Sequence, residues 1–400
     1  MKTRTVQLDD ANVSRTNSIA LGEIMPAKSG SVDPADFPNE VFDLYSIPAF
    51  DKGQPEVLTG REIGSTKQVI QPGDVLLSKI VPHIRRAWVV GRDRGRRLIA
   101  SSEWIVFRSN KAHPDYLRHV LVGDQFQVRF MQTVSGVGGS LLRARPGYVA
   151  EIEIPLPPLS EQQRIAGVLE QADRLRRTRR YALELSDSFL PAAFRQLFGD
   201  GSTNPHRWPE DELGNLCSEV LDCPHSTPTY ATGRPAHPCV RSSDIQNGYL
   251  DLSDAKCVTP SDFEKRIARG KPKRGDVIYC REGARFGNAA RVIDDTALCL
   301  GQRMMLFRAN PFLATSEYIW GFLSSASAYR QATRALDGSA SPHVNVGEIV
   351  AFLLCVPPLA LQQQFASLVS RHERLRAVQR ESLRQAEHLF QSLLHRAFTT

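Results

Sequence analysis

The stretch PLPPLSEQQRIAGVLEQADRLRRTRRYALELSDSFLPAAFRQLF, residues Pro155 to Phe198, organises the rest of the chain. Its prolines keep the lead-in extended, because proline fixes φ and restricts the residue before it. Ser160, followed three residues later by Gln163, is typical of a capped helix start. Beyond them, apolar residues recur in steps of three and four, which predicts a helix with one apolar seam. Gly199 is the expected helix stop.

A second copy of this stretch closes the chain. Four matched pairs stand 200 positions apart without a gap: Pro157 with Pro357, Gln162 with Gln362, Leu175 with Leu375, and Phe198 with Phe398. Internal repeats decide the architecture of a chain. We therefore expect two halves of about 200 residues, each a variable region followed by a long helix.

The repeat predicts where the parts of the chain begin and end. The variable regions are 1-155 and 200-356, and the helices are the central 156-199 and the C-terminal 357-400. The expected fold is mixed α/β, of the α+β kind, with a pseudo-two-fold repeat. The predicted helix seam consists of Ile165, Val168, Ala172, Leu175, Phe189, Phe365, Leu368, Leu375, Leu389 and Leu393.

Composition supports a chain with real cores and a weakly basic surface. The 400 residues suggest two or three domains, and 42% of them are hydrophobic. All seven cysteines lie in the second half, and an odd count without an apolar leader favours reduced thiols and a cytoplasmic location. The net charge of +7 permits a polyanionic partner without requiring one.

Both variable regions follow one pattern of strands and polar loops. In the first, a turn at 71–74 joins two predicted strands, and Trp104 to Phe107 is a predicted buried strand. A single helix is predicted from Asp115 to about Met131. In the second, 273–278 and 304–308 repeat the same pattern about 200 positions later. Each region therefore presents two polar loops on a mixed α/β body.

The residues that carry a family resemblance lie in both halves. They are Pro155 to Gln163 and the weaker copy Val356 to Leu359 with Gln362 and Gln363, together with Tyr45 to Asp51, Asp222 to Pro228, Arg281 to Gly283 and Leu300 to Arg303. Over nearly its whole length the sequence resembles the DNA-specificity subunit of type I restriction-modification systems. Two proline-led helices, each bearing Arg-Leu-Arg, make the resemblance specific.

The resemblance implies two target-recognition domains held apart by two long antiparallel conserved helices. Such a subunit has no catalytic residues or cofactor of its own. It binds double-stranded DNA at a bipartite site and two modification methyltransferase subunits, and optionally restriction subunits. Those partners bind S-adenosylmethionine, ATP and Mg²⁺. A 38-residue helix is roughly 57 Å long, enough to set two domains on successive DNA turns of roughly 34–36 Å.

The candidate DNA-binding residues are polar side chains in the four loops. Arginine favours guanine, amides favour adenine, and acids accept from cytosine, while many contacts go to phosphates. In the first region the candidates are Lys79, His83, Arg85, Arg86, Ser140, Arg143 and Arg145. In the second they are His225, Arg281, Glu282, Arg285, Asn288, Gln302, Arg303, Ser341, His343 and Asn345.

Three positions depart from the expected pattern. Leu141-Leu142 follow the first glycine-rich loop where the family places polar side chains, which shifts base reading toward Lys79 to Arg86. Ala360 stands in place of the capping Ser160, which should cost about 1 kcal/mol. Pro191 falls inside the central helix, and proline removes a hydrogen bond there, so we expect a bend near Ser188.

Two other groups of residues suggest alternative functions. Cys217, Cys223, His225, His237 and Cys239 invite a zinc site, but no Cys-x2-Cys pair is present, so buried thiols are favoured and no metal is expected. The arginines between 174 and 180 are more typical of a solvated helix face than of a binding patch.

Enzyme motifs are missing from the sequence. It contains neither a phosphate-binding Gly-x4-Gly-Lys loop nor an amino-methyltransferase tetrapeptide. A degenerate nuclease or methyltransferase and a free-standing DNA-binding regulator are the two rival classes, and neither explains two proline-led helices at matched positions.

Overall fold

The computed structural model describes residues 17–27, 30–135, 142–201, 204–231, 236–283, 285–335 and 343–398. The chain divides into two compact units, Met1–Arg179 with Leu383–Thr400, and Arg180–Ser382. Both boundaries between the units fall inside the two long helices, so each unit contains part of each long helix. The mixed α/β class predicted from the sequence is confirmed, because strands and helices alternate throughout.

The first unit holds twelve of the described strands. They are β1 Ser18–Ala20, β2 Ser31–Val32, β3 Val41–Tyr45, β4 Glu56–Thr59, β5 Lys67–Val69, β6 Val75–Ser78, β7 Ala87–Val89, β8 Arg97–Ala100, β9 Trp104–Phe107, β10 Val134–Ser135, β11 Arg143–Ala144 and β12 Glu153–Pro155. Its shorter helices are α1 Ile47–Lys52, α2 Pro114–Val122, α3 Asp124–Gln132 and α4 Pro146–Ala150, and it contains most of α5 Leu159–Ser186.

Two sheets form the body of the first unit. One runs in the order β2-β5-β8-β3-β4 and the other in the order β7-β6-β9, with β6 antiparallel to both neighbours. The strand β9 is buried along its whole length, as predicted. The apolar core of the first unit includes Phe107 and Tyr116 together with Leu169 of α5 and Phe398 of the C-terminal helix.

The second unit holds the remaining described elements. They are α6 Phe189–Phe198, β13 Glu210–Glu212, β14 Cys217–Asp222, β15 His237–Val240, β16 Ile245–Gln246, β17 Tyr249–Leu250, β18 Cys257–Val258, α7 Pro260–Ile267, β19 Val277–Cys280, β20 Ala289–Arg291, β21 Cys299–Leu300, β22 Met304–Ala309, α8 Ser316–Leu323, α9 Ala326–Arg334, α10 Val346–Val350, β23 Leu353–Cys355 and most of α11 Leu359–Phe398.

The sheet of the second unit repeats that of the first. Its order is β14-β22-β19-β20, and β19 is antiparallel to β20 and β22 just as β6 is to β7 and β9. The residue directly before β6 or β19 is a buried aspartate that binds an arginine through two hydrogen bonds. Asp74 binds Arg108 at 2.7 and 2.6 Å, and Asp276 binds Arg308 at 2.9 and 2.8 Å. The internal repeat thus extends from the sequence to the strand pairing.

The long helices begin two residues before the predicted start. The carbonyl of Pro158 accepts bonds from the backbone N–H groups of Glu161 and Gln162, at 2.9 and 3.0 Å. The helix α11 begins in the same way, after Pro358. Ser160 therefore lies in the first turn rather than at the N-cap. The predicted capping box is therefore wrong, and the cost predicted for Ala360 loses its structural basis.

A buried glutamine fixes each helix start instead. The Oε1 of Gln162 accepts from the backbone N–H of His113 at 2.7 Å, and its Nε2 donates to the carbonyls of Lys111 and Pro157 at 3.0 and 2.7 Å. In the second unit Gln362 repeats all three bonds, to Thr315, Leu313 and Pro357. Each glutamine thereby joins a helix start to the turn that follows a core strand.

The central helix is interrupted where Pro191 predicted a bend. The helix α5 ends at Ser186 and α6 begins at Phe189, because proline has no N–H to donate and its ring crowds the carbonyl four residues earlier. Arg376 binds the Asp187 carboxylate and the Ser186 hydroxyl, the latter at 3.1 Å. His372 bonds the Ser186 carbonyl at 3.0 Å. The break is therefore held by side chains of α11.

The buried face of the long helices lies one residue beyond most predicted seam positions. Leu169, Val369, Phe390 and Leu394 are buried, whereas Val168 is 39% exposed. Of the predicted seam, Leu175, Phe189, Leu375 and Leu389 are exposed too, Ile165, Leu368 and Leu393 are half-buried, and Ala172 and Phe365 are buried. Polar residues explain the error. The buried face includes Gln162, Asp173, His372 and Arg376, which a count of apolar residues leaves out.

The single helix predicted from Asp115 to Met131 is two helices. The helix α2 ends before Gly123 and α3 starts after it, and Gly123 itself is extended, with φ −71° and ψ 154°. A Cβ at this position would lie only 3.2 Å from the carbonyl oxygen of Val120, so the close turn between the two helices favours glycine. The continuous apolar period across the glycine concealed the break from sequence reasoning.

Candidate nucleic-acid interface

The same backbone framework holds one loop region in each unit. In the first, the N–H of Lys79 donates to the carbonyl of Glu103 at 3.0 Å, and the carbonyl of Lys79 accepts from Ala144 at 2.8 Å. Ile80 and Arg143 form a bridge beside them. Three separate segments, which follow β6, precede β9 and include β11, therefore meet at Lys79.

The second unit makes the same bonds about 200 positions later. The N–H of Arg281 donates to the carbonyl of Arg303 at 3.0 Å, and the carbonyl of Arg281 accepts from Val344 at 3.2 Å. Glu282 and His343 form the matching bridge. Arg281 thus takes the place of Lys79, Arg303 that of Glu103, and His343 that of Arg143. The framework is common, and the side chains that it carries differ.

Most arginine candidates of the first unit are held in ion pairs. Arg143 binds Glu103 through two bonds of 3.2 Å, Arg85 binds Asp124 at 2.5 Å, and Arg86 binds Asp51 at 2.9 Å. Within the described residues, the side chains of Lys79 and His83 have no hydrogen-bond or ion-pair partner.

Two further positions complete the loop region of the first unit. The Nε of Arg145 donates to the Ser135 hydroxyl at 2.9 Å. Val81 adopts φ +49°, a conformation that β-branched residues rarely accept and that is concentrated at functional sites. The unpaired side chains of Lys79 and His83 and a strained backbone therefore occur together in the loop after β6.

A charged cluster occupies the corresponding place in the second unit. Arg281 is 3% exposed, and it lies between Asp222, with its Nε 3.3 Å from Oδ1, and Glu282, with its Nη1 3.3 Å from Oε1. His343 contacts the same Glu282 oxygen at 3.2 Å, and the Nε of Arg303 lies 3.7 Å from its other oxygen. Because Arg281 is buried between two carboxylates, it holds the cluster together rather than presenting its guanidinium to a ligand.

The other described candidates of the second unit lie at the edge of the charged cluster or outside it. Gln302 donates to the carbonyl of His225 at 2.7 Å, and His225 contacts Asp222 at 3.0 Å, so both belong to the edge of the cluster. Arg285 donates to the carbonyl of Ile245 at 3.1 Å. Asn345 caps α10.

Three candidates lie apart from the cluster or cannot be placed. Asn288 lines a cavity of about 830 Å³ beside Trp320 and Pro191. Ser140 and Ser341 lie outside the described residues, as do Leu141 and most of both glycine-rich loops. Their predicted DNA contacts stay predictions.

Two residues of the site escaped the sequence reasoning. Glu103 pairs with Arg143, and Asp222 joins Arg281 to His225. The repeat offered a signal for the first, because Glu103 stands 200 positions before Arg303. Carboxylates that orient basic side chains leave no pattern of their own in a sequence.

The cysteines of the second unit are free thiols, and four of them are buried. All seven are free, and Cys223 and Cys239 are buried. Burial raises the pKa of Cys280 to about 11 and that of Cys217 to about 12, which keeps both thiols protonated. Across the described ranges, no three His, Cys, Asp or Glu side chains are grouped closely enough to hold a metal ion.

The fold and its paired loops define a class: an internally repeated α/β protein that presents two similar frameworks with different charged side chains. Residues 17–185 match the family model described as type I restriction modification DNA specificity domain. This part of the chain is therefore similar to the DNA-specificity domain of type I restriction-modification systems, and the resemblance seen in the sequence is confirmed there.

A curated relative shows the same similarity. A type I restriction enzyme specificity subunit, MjaVIII of Methanocaldococcus jannaschii, is 22% identical over 251 aligned residues, and the match covers 59% of this chain and 59% of that one. The match thus spans less than two thirds of that relative.

Solved structures support the fold. A type I restriction-modification S subunit from M. genitalium is 12% identical, with a TM-score of 0.59 over 99% of this chain and 98% of that one. A chain from a structure of type I R-M complex assembly and conformational transition is 21% identical, with a TM-score of 0.57 over 96% and 97%.

Proposed function

We propose that this chain selects a bipartite DNA target, one half for each unit, and positions methyltransferase subunits on it. The observation that carries the proposal is the framework built twice, around Lys79 in one unit and Arg281 in the other. A framework that repeats while its side chains change is what reading two short sequences requires, because base edges are told apart by donors and acceptors.

The two half-sites differ in sequence. One unit presents Glu103 and Arg143 where the other presents Arg303 and His343. An acidic position in one copy is thus basic in the other, and the two side chains favour different base edges. A palindromic target would need equal side chains at these positions.

The long helices offer surface for protein partners. In the second unit Tyr181, Leu185, Phe189, Leu375 and Val378 of these helices are exposed, at 65, 61, 48, 55 and 64%. Exposed apolar residues in such number mark interaction sites. We infer that two modification methyltransferase subunits bind here, and that restriction subunits join where the host has them.

The chemistry belongs to those partners. The charged cluster is a set of ion pairs, and its buried Arg281 is held by two carboxylates. We propose that the chain is non-catalytic and that the partner subunits bind S-adenosylmethionine, ATP and Mg²⁺. In the described part of the chain, no helix has the length and apolarity needed to span a membrane. Its seven free thiols fit action in the cytoplasm.

Methylome sequencing tests the proposal. DNA from cells with and without this gene is compared by single-molecule sequencing, with an intact partner methyltransferase gene in both. We expect one split motif, two different short blocks around a fixed gap, to lose methylation when the gene is removed. An unchanged methylome in the presence of the intact partner would exclude a role in directing modification.

A further inference from the structure

We propose that Arg303 reads a guanine in the half-site of the second unit, and that Glu282 aims it. The inference rests on the proposed function and assigns one residue a specific role within it. Its basis is a combination of backbone conformation, free donors and a buttressing carboxylate, which only Arg303 shows among the candidates in the described residues.

The backbone of Arg303 is unusual. Its φ is +73°, a left-handed conformation that costs free energy for any residue other than glycine. The residue stands in the turn between β21 and β22, and its carbonyl accepts the framework bond from the backbone N–H of Arg281. A strained residue persists only where its surroundings hold it, and strain of this kind is concentrated at ligand-binding sites.

The side chain of Arg303 is positioned with its donors free. The Nε faces Glu282 Oε2 at 3.7 Å, and the side chain is 56% exposed. Within the described part of the chain, neither Nη group has an acceptor. An arginine whose Nε is buttressed and whose two Nη groups are free presents the planar fork that binds O6 and N7 of guanine.

Gly283 leaves room for this arrangement. A Cβ at position 283 would stand 3.0 Å from Arg303 Nη1, and the φ of +84° at Gly283 disfavours any other residue there. On the other side, Glu282 cannot swing away freely, because Arg281 and His343 hold its Oε1 at 3.3 and 3.2 Å. Glu282 and Arg281 are therefore positioning residues, and Arg303 is the residue that meets the base.

The test measures base preference, not activity alone. The full chain in complex with its methyltransferase is bound to duplexes that carry the cognate motif and every single-base variant of the second half-site. Arg303→Ala is compared with Arg207→Ala. Arg207 is a matched control because it is also an exposed arginine of the second unit with positive φ, +53°. It stands in the loop before β13.

The unsubstituted complex should prefer guanine at one position of the half-site by about 10- to 100-fold in affinity, and we expect Arg303→Ala to lose this preference. The base preferences at the other positions should stay unchanged. Arg207→Ala should keep the full preference. Arg303→Lys retains the charge but lacks the fork, so it should lose the same discrimination with a smaller loss of total affinity. This second variant keeps the test valid if the alanine protein folds poorly.

Two results would overturn the role of Arg303 and leave the proposed function standing. Equal weakening on all duplexes would make Arg303 a phosphate contact. Unchanged binding would place it outside the interface. By contrast, an unsubstituted complex that prefers no sequence in either half-site would refute the proposed function and this inference with it.

Discussion

Replacing Gln162 with leucine should destabilise the first unit by about 3 kcal/mol. The substitution removes three hydrogen bonds, of 2.7, 3.0 and 2.7 Å, and each buried bond contributes about 1 kcal/mol. It leaves the His113 N–H and two carbonyls without partners at a site that is 1% exposed. Leucine has nearly the volume of glutamine, so the loss of bonds rather than a cavity dominates.

The neighbouring Gln163 provides the control. It is exposed, so Gln163→Leu should change stability by no more than about 0.5 kcal/mol. Urea unfolding of the full chain gives the free-energy difference between the two variants. Hydrogen exchange locates it, since faster exchange is expected at His113 and at the start of α5. Equal stabilities for the two variants would refute the role assigned to Gln162.

Three further substitutions test other contacts. Ser160→Ala should cost less than about 0.5 kcal/mol in urea unfolding, because the helix starts before it; a cost near 1 kcal/mol would mean that Ser160 is a cap after all. Arg376→Met should cost about 3 kcal/mol by leaving Asp187 without its cation, whereas the exposed Arg374→Met should be nearly neutral; equal losses would contradict a held helix break. Burial lowers the pKa of His119 to about 3, so between pH 6.5 and 3 the unfolded chain binds a proton that the folded chain does not. Stability therefore falls as pH falls, by up to about 1.4 kcal/mol per pH unit, and His119→Leu should reduce this slope in unfolding measured at pH 7.5 and 5.0. An identical slope in both proteins would show that His119 is not the group responsible.

The charge pattern of the loops was predictable only in part. The sequence indicated Lys79, Arg281 and Arg303 as candidates, because each stands in a polar loop beside a buried strand. It did not indicate that Arg281 is buried between carboxylates and that Arg303 is exposed. Which arginine faces outward depends on contacts with residues more than 50 positions away in the sequence. A local sequence pattern does not contain this information.

The helix faces show the same limit. Spacing located both long helices and, through Pro191, the break between α5 and α6. It misplaced the buried face by one residue, because Gln162 and Arg376 are buried by the bonds that they make. Polar residues are buried only where partners satisfy them, and those partners belong to other parts of the chain.

The sequence by itself determined the repeat, the long helices, the fold class and the family resemblance, because these follow from spacing, proline placement and matched motifs along the chain. Only the tertiary structure decided which residues form the two loop frameworks and which side chains remain free. Strand pairing brings residue 79 to 103 and 144, and residue 281 to 303 and 344. The hydrogen bonds and ion pairs formed there then decide whether an arginine is buried in the site or faces outward.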